Sequence, residues 1–141
     1  AALIAEALLE KQKATPFTRT RQLAVSIQEA LTPPGRNVAD TDANDTQRRV
    51  FQALRIAVND EFGALDSLLR VLPGCLKSGG RIAILTFHSG EDRRVKKSFQ
   101  AGQRSGVYDT IAESVIRASF DERHSNPRST SAKLRWAIRA T

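Results

Sequence analysis

The polar and apolar positions fall into segments of helical and of strand period, separated by breaks marked with Pro and Gly. Over residues 2–13, Leu3 with Ala7 and Ile4 with Leu8 recur at four-residue spacing, which predicts a helix. Lys11 and Lys13 stand at the end where the helix dipole favours cations. Thr15-Pro16 interrupts it, because proline disfavours the helical conformation of the residue before it. A second helix, capped by Thr18 or Thr20, is predicted to run to Leu31 with Leu23, Ile27 and Leu31 on one face. Thr32-Pro33-Pro34-Gly35 stops it.

Residues 36–44 are polar and are expected to form a linking loop. The next stripe, Val50, Leu54, Val58, Phe62, Leu65 and Leu69, predicts one long helix from Asp45 or Thr46, with Asn44 and Gln47 at the spacing of a capping box. Gly63 costs this helix about 1 kcal/mol relative to Ala and marks a bend or a close contact. Pro73-Gly74 should end it. Gly79-Gly80 reads as a turn, and residues 82–87 as a continuous apolar strand covered on both faces, as in a parallel sheet. Ser89 and Asp92 have N-cap spacing for a further helix, which buries Val95 and Phe99 and ends near Ala101-Gly102. Residues 103–110 read as loop and 111–118 as a strand. Asn126-Pro127-Arg128 reads as a turn. Residues 131–140 alternate, with Ala132, Leu134, Trp136 and Ile138 on one face, and predict a half-buried strand antiparallel to the preceding one. The succession of helices and strands predicts an α/β fold.

Composition narrows the function classes. The chain has 141 residues, 40% of them hydrophobic, enough for one modest domain with a core. No apolar run approaches the roughly 20 residues of a membrane span. One cysteine excludes an internal disulfide and the multi-cysteine zinc patterns. The chain contains no methionine, and its first residues already have helical pattern, so a fragment of a longer protein is expected. Of the net charge of +7, residues 1–80 contribute little, with 10 Lys and Arg against 9 Asp and Glu; residues 81–141 hold 12 against 6. A basic C-terminal half points to an anionic partner, most often nucleic acid, or else to a solvated basic surface.

Two clusters carry candidate chemistry. His88, Ser89, Glu91 and Asp92 lie at the carboxyl end of a predicted strand, where open α/β sheets bind ligands. The alternative is that Ser89 and the acids only start a helix. Asn126 and Arg128, with Ser129, Ser131, Lys133 and Arg135, place basic and hydroxyl groups close together, as phosphate contacts require; the alternative is a turn and a solvent-facing strand. Arg48, Arg49 and Arg55 could act similarly. Neither a G-x-G-x-x-G loop nor a P-loop is present, and no metal-ligand spacing is found. Residue chemistry alone supplies no complete active site.

Three stretches carry a resemblance: residues 51–61, Phe-Gln-Ala-Leu-Arg-Ile-Ala-Val-Asn-Asp-Glu; residues 79–96, from Gly79-Gly80-Arg81 through Thr86-Phe87-His88-Ser89-Gly90-Glu91-Asp92-Arg93-Arg94-Val95-Lys96; and Asn126-Pro127-Arg128 with Ser131-Ala132-Lys133-Leu134-Arg135. In order and spacing the chain resembles the C-terminal half of the RsmH (MraW) methyltransferases. The resemblance implies the C-terminal part of a Rossmann-like class I methyltransferase sheet over residues 41–141, and part of an inserted helical lobe over residues 1–40. It implies transfer of a methyl group from S-adenosyl-L-methionine to N4 of a cytidine in small-subunit ribosomal RNA. His88, Ser89, Glu91, Asp92, Asn126, Arg128, Lys133 and Arg135 are then the expected RNA-binding residues.

That family's glycine-rich cofactor loop has no counterpart here, so no cofactor-binding residue is assigned and the chain by itself is expected to be inactive. Its His-Pro-Ala-Thr-Arg type run is replaced by Asp45-Thr46-Gln47-Arg48-Arg49, and Gly90 stands where many members have Leu. The expected partners are ribosomal RNA and a protein surface, its own or another's, covering the sheet. The expected location is the cytoplasm, with the plastid stroma as the alternative. A truncated RNA- or protein-binding module without chemistry, and an unrelated α/β interaction domain, are the rival readings.

Overall fold

A computed structural model describes residues 2–32 and 40–141, in two compact units, residues 1–59 and 60–141. The first holds three helices, α1 (Ala2–Ala14), α2 (Thr20–Leu31) and α3 (Asp40–Asn59). α2 packs on both of the others, and Ile27, one turn past Leu23, is fully buried. Lys11 of α1 pairs with Glu29 of α2. Neither threonine caps α2: Arg19 holds the N-cap position, and Oε1 of Gln22 accepts the N–H groups of Thr18 (3.0 Å) and Arg19 (3.1 Å). α3 starts at Asp40, inside the stretch expected to be loop; of that loop, residues 36–39 lie outside the described residues.

The expected long helix is two helices. Asp60 takes a left-handed conformation (φ 47°, ψ 44°), and its carboxylate accepts the N–H of Gly63 at 3.3 Å, capping α4 (Glu61–Cys75). The stripe is not one continuous buried face: Leu54 and Val58, before the break, are exposed, Val58 by 82%, whereas Leu65 and Leu69, after it, join the core. Pro73 lies in the last turn of α4 instead of ending it.

The second unit continues with β1 (Arg81–Thr86), α5 (Ser89–Arg104), β2 (Tyr108–Ile111), α6 (Phe120–Ser125), a 3₁₀ turn (Pro127–Ser131) and β3 (Lys133–Arg139). The sheet order is β1-β3-β2, with β3 antiparallel to both neighbours. β1 and β2 therefore point the same way and are joined through α5, as a parallel connection requires. Arg81 pairs with Ile138 and Thr86 with Lys133 at the ends of the β1–β3 ladder. Gly79, at φ 70°, makes the turn into β1, and its N–H donates to the carbonyl of Arg139.

The core lies between the sheet and the helices. Leu69 of α4, Val95 and Phe99 of α5, Tyr108 of β2 and Ala137 of β3 are buried together, with Ile82 and Ile84 packed against them. The expectation of a strand covered on both faces is corrected: Ile82 and Ile84 meet the helices, whereas Ala83 and Leu85 are exposed. The strand expected over residues 111–118 is displaced. Pairing begins at Tyr108; beyond Ile111 the Ala112 N–H still donates to the Trp136 carbonyl at 2.9 Å, and Ile116 makes an isolated bridge to Leu134.

Candidate functional site

The carboxyl end of β1 runs through Phe87 and His88 directly into α5, and the first turn of that helix fixes the local geometry. The cap is not Ser89 with Asp92 but His88 with Glu91, one residue earlier. His88 Nδ1 accepts the N–H of Glu91 at 3.4 Å. In return, Oε2 of Glu91 accepts the N–H groups of Phe87 (3.0 Å) and His88 (3.4 Å). This reciprocal arrangement satisfies donors that a helix start leaves open. Because Nδ1 is an acceptor, the proton of the neutral ring belongs on Nε2. That atom is buried, 3.2 Å from Oε1 of Glu91 but not aligned for a hydrogen bond. Phe62 of α4 meets the imidazole edge-on, with ring centroids 5.7 Å apart.

Asp92, freed from capping, turns to β3. Its two oxygens accept from Arg135 Nε (2.7 Å) and Nη2 (3.3 Å), and Lys133 Nζ lies 3.9 Å away. The Arg135 hydrogen bonds hold the Asp92 carboxyl below its ordinary range, with the charges of Arg135, Lys133 and Arg117 assisting and burial opposing. Arg135 is only 8% exposed. Asp92, Lys133 and Arg135 thus form one brace between α5 and β3. Arg94, two residues further along α5, pairs with Asp66 at 2.6 Å and covers the Phe62 ring at 4.2 Å.

The expected site residues therefore divide by environment. His88 and Glu91 build the helix start, and Asp92, Lys133 and Arg135 build the brace. Ser89, Asn126 and Arg128 are exposed. Asn126 closes α6 and opens the 3₁₀ turn, where its carbonyl accepts the N–H of Ser129 at 2.9 Å. The sequence reading missed Glu61 as a neighbour of this cluster. Ligand atoms of Glu61, His88 and Glu91 lie within 4.8 Å of one another, a donor set that can accept a cation. Its only sequence signal was the Asn59-Asp60-Glu61 motif, because the side chains meet across 27 residues of chain. Among the described residues no serine, threonine or cysteine side chain hydrogen-bonds a histidine, so no activated nucleophile is assembled.

Nor do the described residues form a cradle for a nucleotide cofactor. The Gly79-Gly80 pair precedes β1 and is engaged with Arg139 and Lys77. Gly90 does sit at a helix start, but a Cβ there would meet Phe62 Cζ at 2.8 Å. Its small size makes room for the Phe62 ring. No helix among the described residues is long and apolar enough to cross a membrane.

The chain matches the model of the MraW methylase family over residues 1–140. It is 49% identical over 140 residues to ribosomal RNA small subunit methyltransferase H 2 of Alkaliphilus metalliredigens, covering 99% of this chain and 40% of that protein. The methyltransferase H of Synechococcus sp. (strain CC9311) is 55% identical over 123 residues, with 87% and 37% covered. That of Agrobacterium fabrum is 42% identical, with 98% and 43% covered. The chain spans about two fifths of the length of these curated relatives.

Proposed function

The chain belongs to the MraW methylase family, and from that premise we propose that it forms the RNA-facing, C-terminal part of an S-adenosylmethionine-dependent enzyme. In this reading the enzyme methylates N4 of a cytidine in small-subunit ribosomal RNA. The observation that carries it is the split unit β1–α5–β2, with a polar cluster at the carboxyl end of β1. Ligands of open α/β sheets bind at that end. The edge of β1 away from β3 pairs with no described strand, which fits a Rossmann-like sheet that continues beyond it. Residues 1–40 then belong to an inserted helical lobe and 41–141 to the methyltransferase domain. The basic excess of residues 81–141 supplies phosphate contacts. Such an enzyme works where ribosomal small subunits are made, in the cytoplasm or the plastid stroma.

S-adenosylmethionine supplies the methyl group when bound, but the described residues do not fit it. What the chain contributes is a rigid wall. His88 and Glu91 fix the turn after β1, the Asp92–Arg135 brace ties α5 to β3, and Ser89, Asn126 and Arg128 face solvent beside that turn or on the 3₁₀ turn. The second reading, a non-catalytic RNA-binding module of the same fold, is favoured by the same lack of a cofactor cradle among the described residues.

Calorimetric titration tests the assignment of roles. This chain should give no isotherm with S-adenosylmethionine, yet bind single-stranded RNA with an affinity that falls steeply as salt rises. A tight one-site isotherm with the cofactor would overturn the assignment, and salt-independent RNA binding would remove the electrostatic part of it. Intact-mass measurement on source material separates the two readings: a longer chain supports the enzyme, and a natural product of this length supports the module.

A further inference from the structure

We propose that the solvent face of α5 is a track for the phosphate backbone of double-helical RNA. This rests on the RNA-substrate reading above and assigns to it a surface separate from the strand end.

α5 places Val95 and Phe99 in the core. Arg93, Lys96, Lys97 and Arg104 are all exposed. At 3.6 residues per turn they fall within about 100° of one another, away from the core side. At 1.5 Å per residue the row from Arg93 to Arg104 is about 16 Å long, enough to run beside several successive phosphates of one strand.

The fold does not use these charges. The only acids of α5 are Glu91 and Asp92. Glu91 is engaged in the cap and Asp92 by Arg135. Arg94 is taken by Asp66. Arg93, Lys96, Lys97 and Arg104 have no ion-pair or hydrogen-bond partner among the described residues. Only Arg104 lies in the last turn, where the helix dipole favours a cation. Arg93 and Lys97 stand four residues apart, a spacing at which like charges destabilise a helix. An anionic partner replaces that repulsion with attraction.

One flank of the row is a groove of about 400 Å³ between α4 and α5. Arg70 of α4 and Lys97 and Ser98 of α5 line it, together with the Asp66–Arg94 pair. The groove thus adds a cation from α4 and a hydroxyl donor, groups that contact phosphate oxygens.

What the face lacks selects the form of the RNA. Its other exposed residues beyond the first turn are Gln100, Ala101 and Gln103. It therefore carries no exposed ring of the kind on which single-strand surfaces stack bases. Double-helical RNA keeps its bases paired and is bound through phosphates and ribose hydroxyls.

The test uses the full chain with three fluorescent probes, each titrated over a range of salt: an RNA hairpin, a single strand of the same length and polyglutamate. Wild type should bind the hairpin most tightly. Arg93→Gln, Lys97→Gln and Arg104→Gln combined should lower the slope of log affinity against log salt by about three, one for each lost phosphate contact. Lys13→Gln, Arg21→Gln and Lys77→Gln combined remove the same charge elsewhere and should leave the slope nearly in place. All six positions are exposed, and glutamine is a good helix former, so both variants should fold; circular dichroism checks this. A slope that the α5 variant does not change, equal drops from the two variants, or a single strand bound as tightly as the hairpin would overturn the track while leaving RNA as the partner. Tightest binding of polyglutamate would assign the face to an acidic protein instead. No salt-sensitive binding of either RNA would overturn both the track and the RNA-substrate reading.

Discussion

Asp92 is the residue through which the candidate site and the stability of the fold are joined. Its carboxylate accepts two hydrogen bonds from a nearly buried Arg135, and removing one partner of a buried pair leaves the other uncompensated. Asp92→Asn should cost about 3 kcal/mol in denaturant unfolding at neutral pH. Because the folded-state carboxyl titrates below its ordinary value of 3.8, the pair's contribution is complete above the unfolded-state value. It fades from about pH 5 downward as the pH falls through the folded-state value. The wild-type midpoint should therefore drop on acidification more steeply than that of Asp92→Asn. Parallel pH profiles would show that the brace carries no such weight.

Tyr108 presents the opposite case. Its ring is buried edge-on against Phe99 at 5.5 Å, but its hydroxyl has no partner and burial pushes its pKa up. Tyr108→Phe should keep the packing, remove the unpaired group and leave stability unchanged or higher by about 1 kcal/mol. A clear loss of stability would mean that the hydroxyl is satisfied after all.

At the scale of elements, the junction of α3 and α4 depends on Asp60, which combines a left-handed backbone with a cap on Gly63. Asp60→Ala loses the cap and keeps the strain, and should cost about 1–2 kcal/mol. Asp60→Gly relieves the strain and should cost only a few tenths of a kcal/mol. Equal losses would show that the conformation at residue 60 is not what limits stability there. The two-helix arrangement was hidden in the sequence because Val58 and Phe62 preserve four-residue spacing across the break, while nothing local announces that Val58 is exposed.

The start of α5 shows a similar limit. His88/Glu91 and Ser89/Asp92 offer the same three-residue spacing, and the choice is made by Arg135, 43 residues further on, which draws Asp92 away. By contrast, α1, α2 and β3 were legible from a clean period with a Pro-marked boundary, and β1 from an unbroken apolar run after Gly79-Gly80, although that run concealed which of its faces is covered. β2 was not: it is four residues long with a register shift between Tyr108 and Thr110, too short for a period to register.

At the scale of the whole molecule, the described residues supply some parts of a methyltransferase and not others. The chain has a strand end fixed by a reciprocal cap, a brace tying α5 to the last strand, and an excess of basic residues over 81–141. Of its described glycines, Gly79 and Gly106 hold positive-φ turns, and Gly90 and Gly102 leave room for the rings of Phe62 and Tyr108. A family member with this division of parts should act only when joined to residues that bind the methyl donor. The most direct measurement is methyl transfer. The intact gene product is incubated with methyl-labelled S-adenosylmethionine and unmodified small-subunit ribosomal RNA, and the RNA is digested to nucleosides. The account predicts label in N4-methylcytidine with the intact product, and none with residues 1–141 alone. Label in a different nucleoside, or transfer by the 141-residue chain alone, would contradict it.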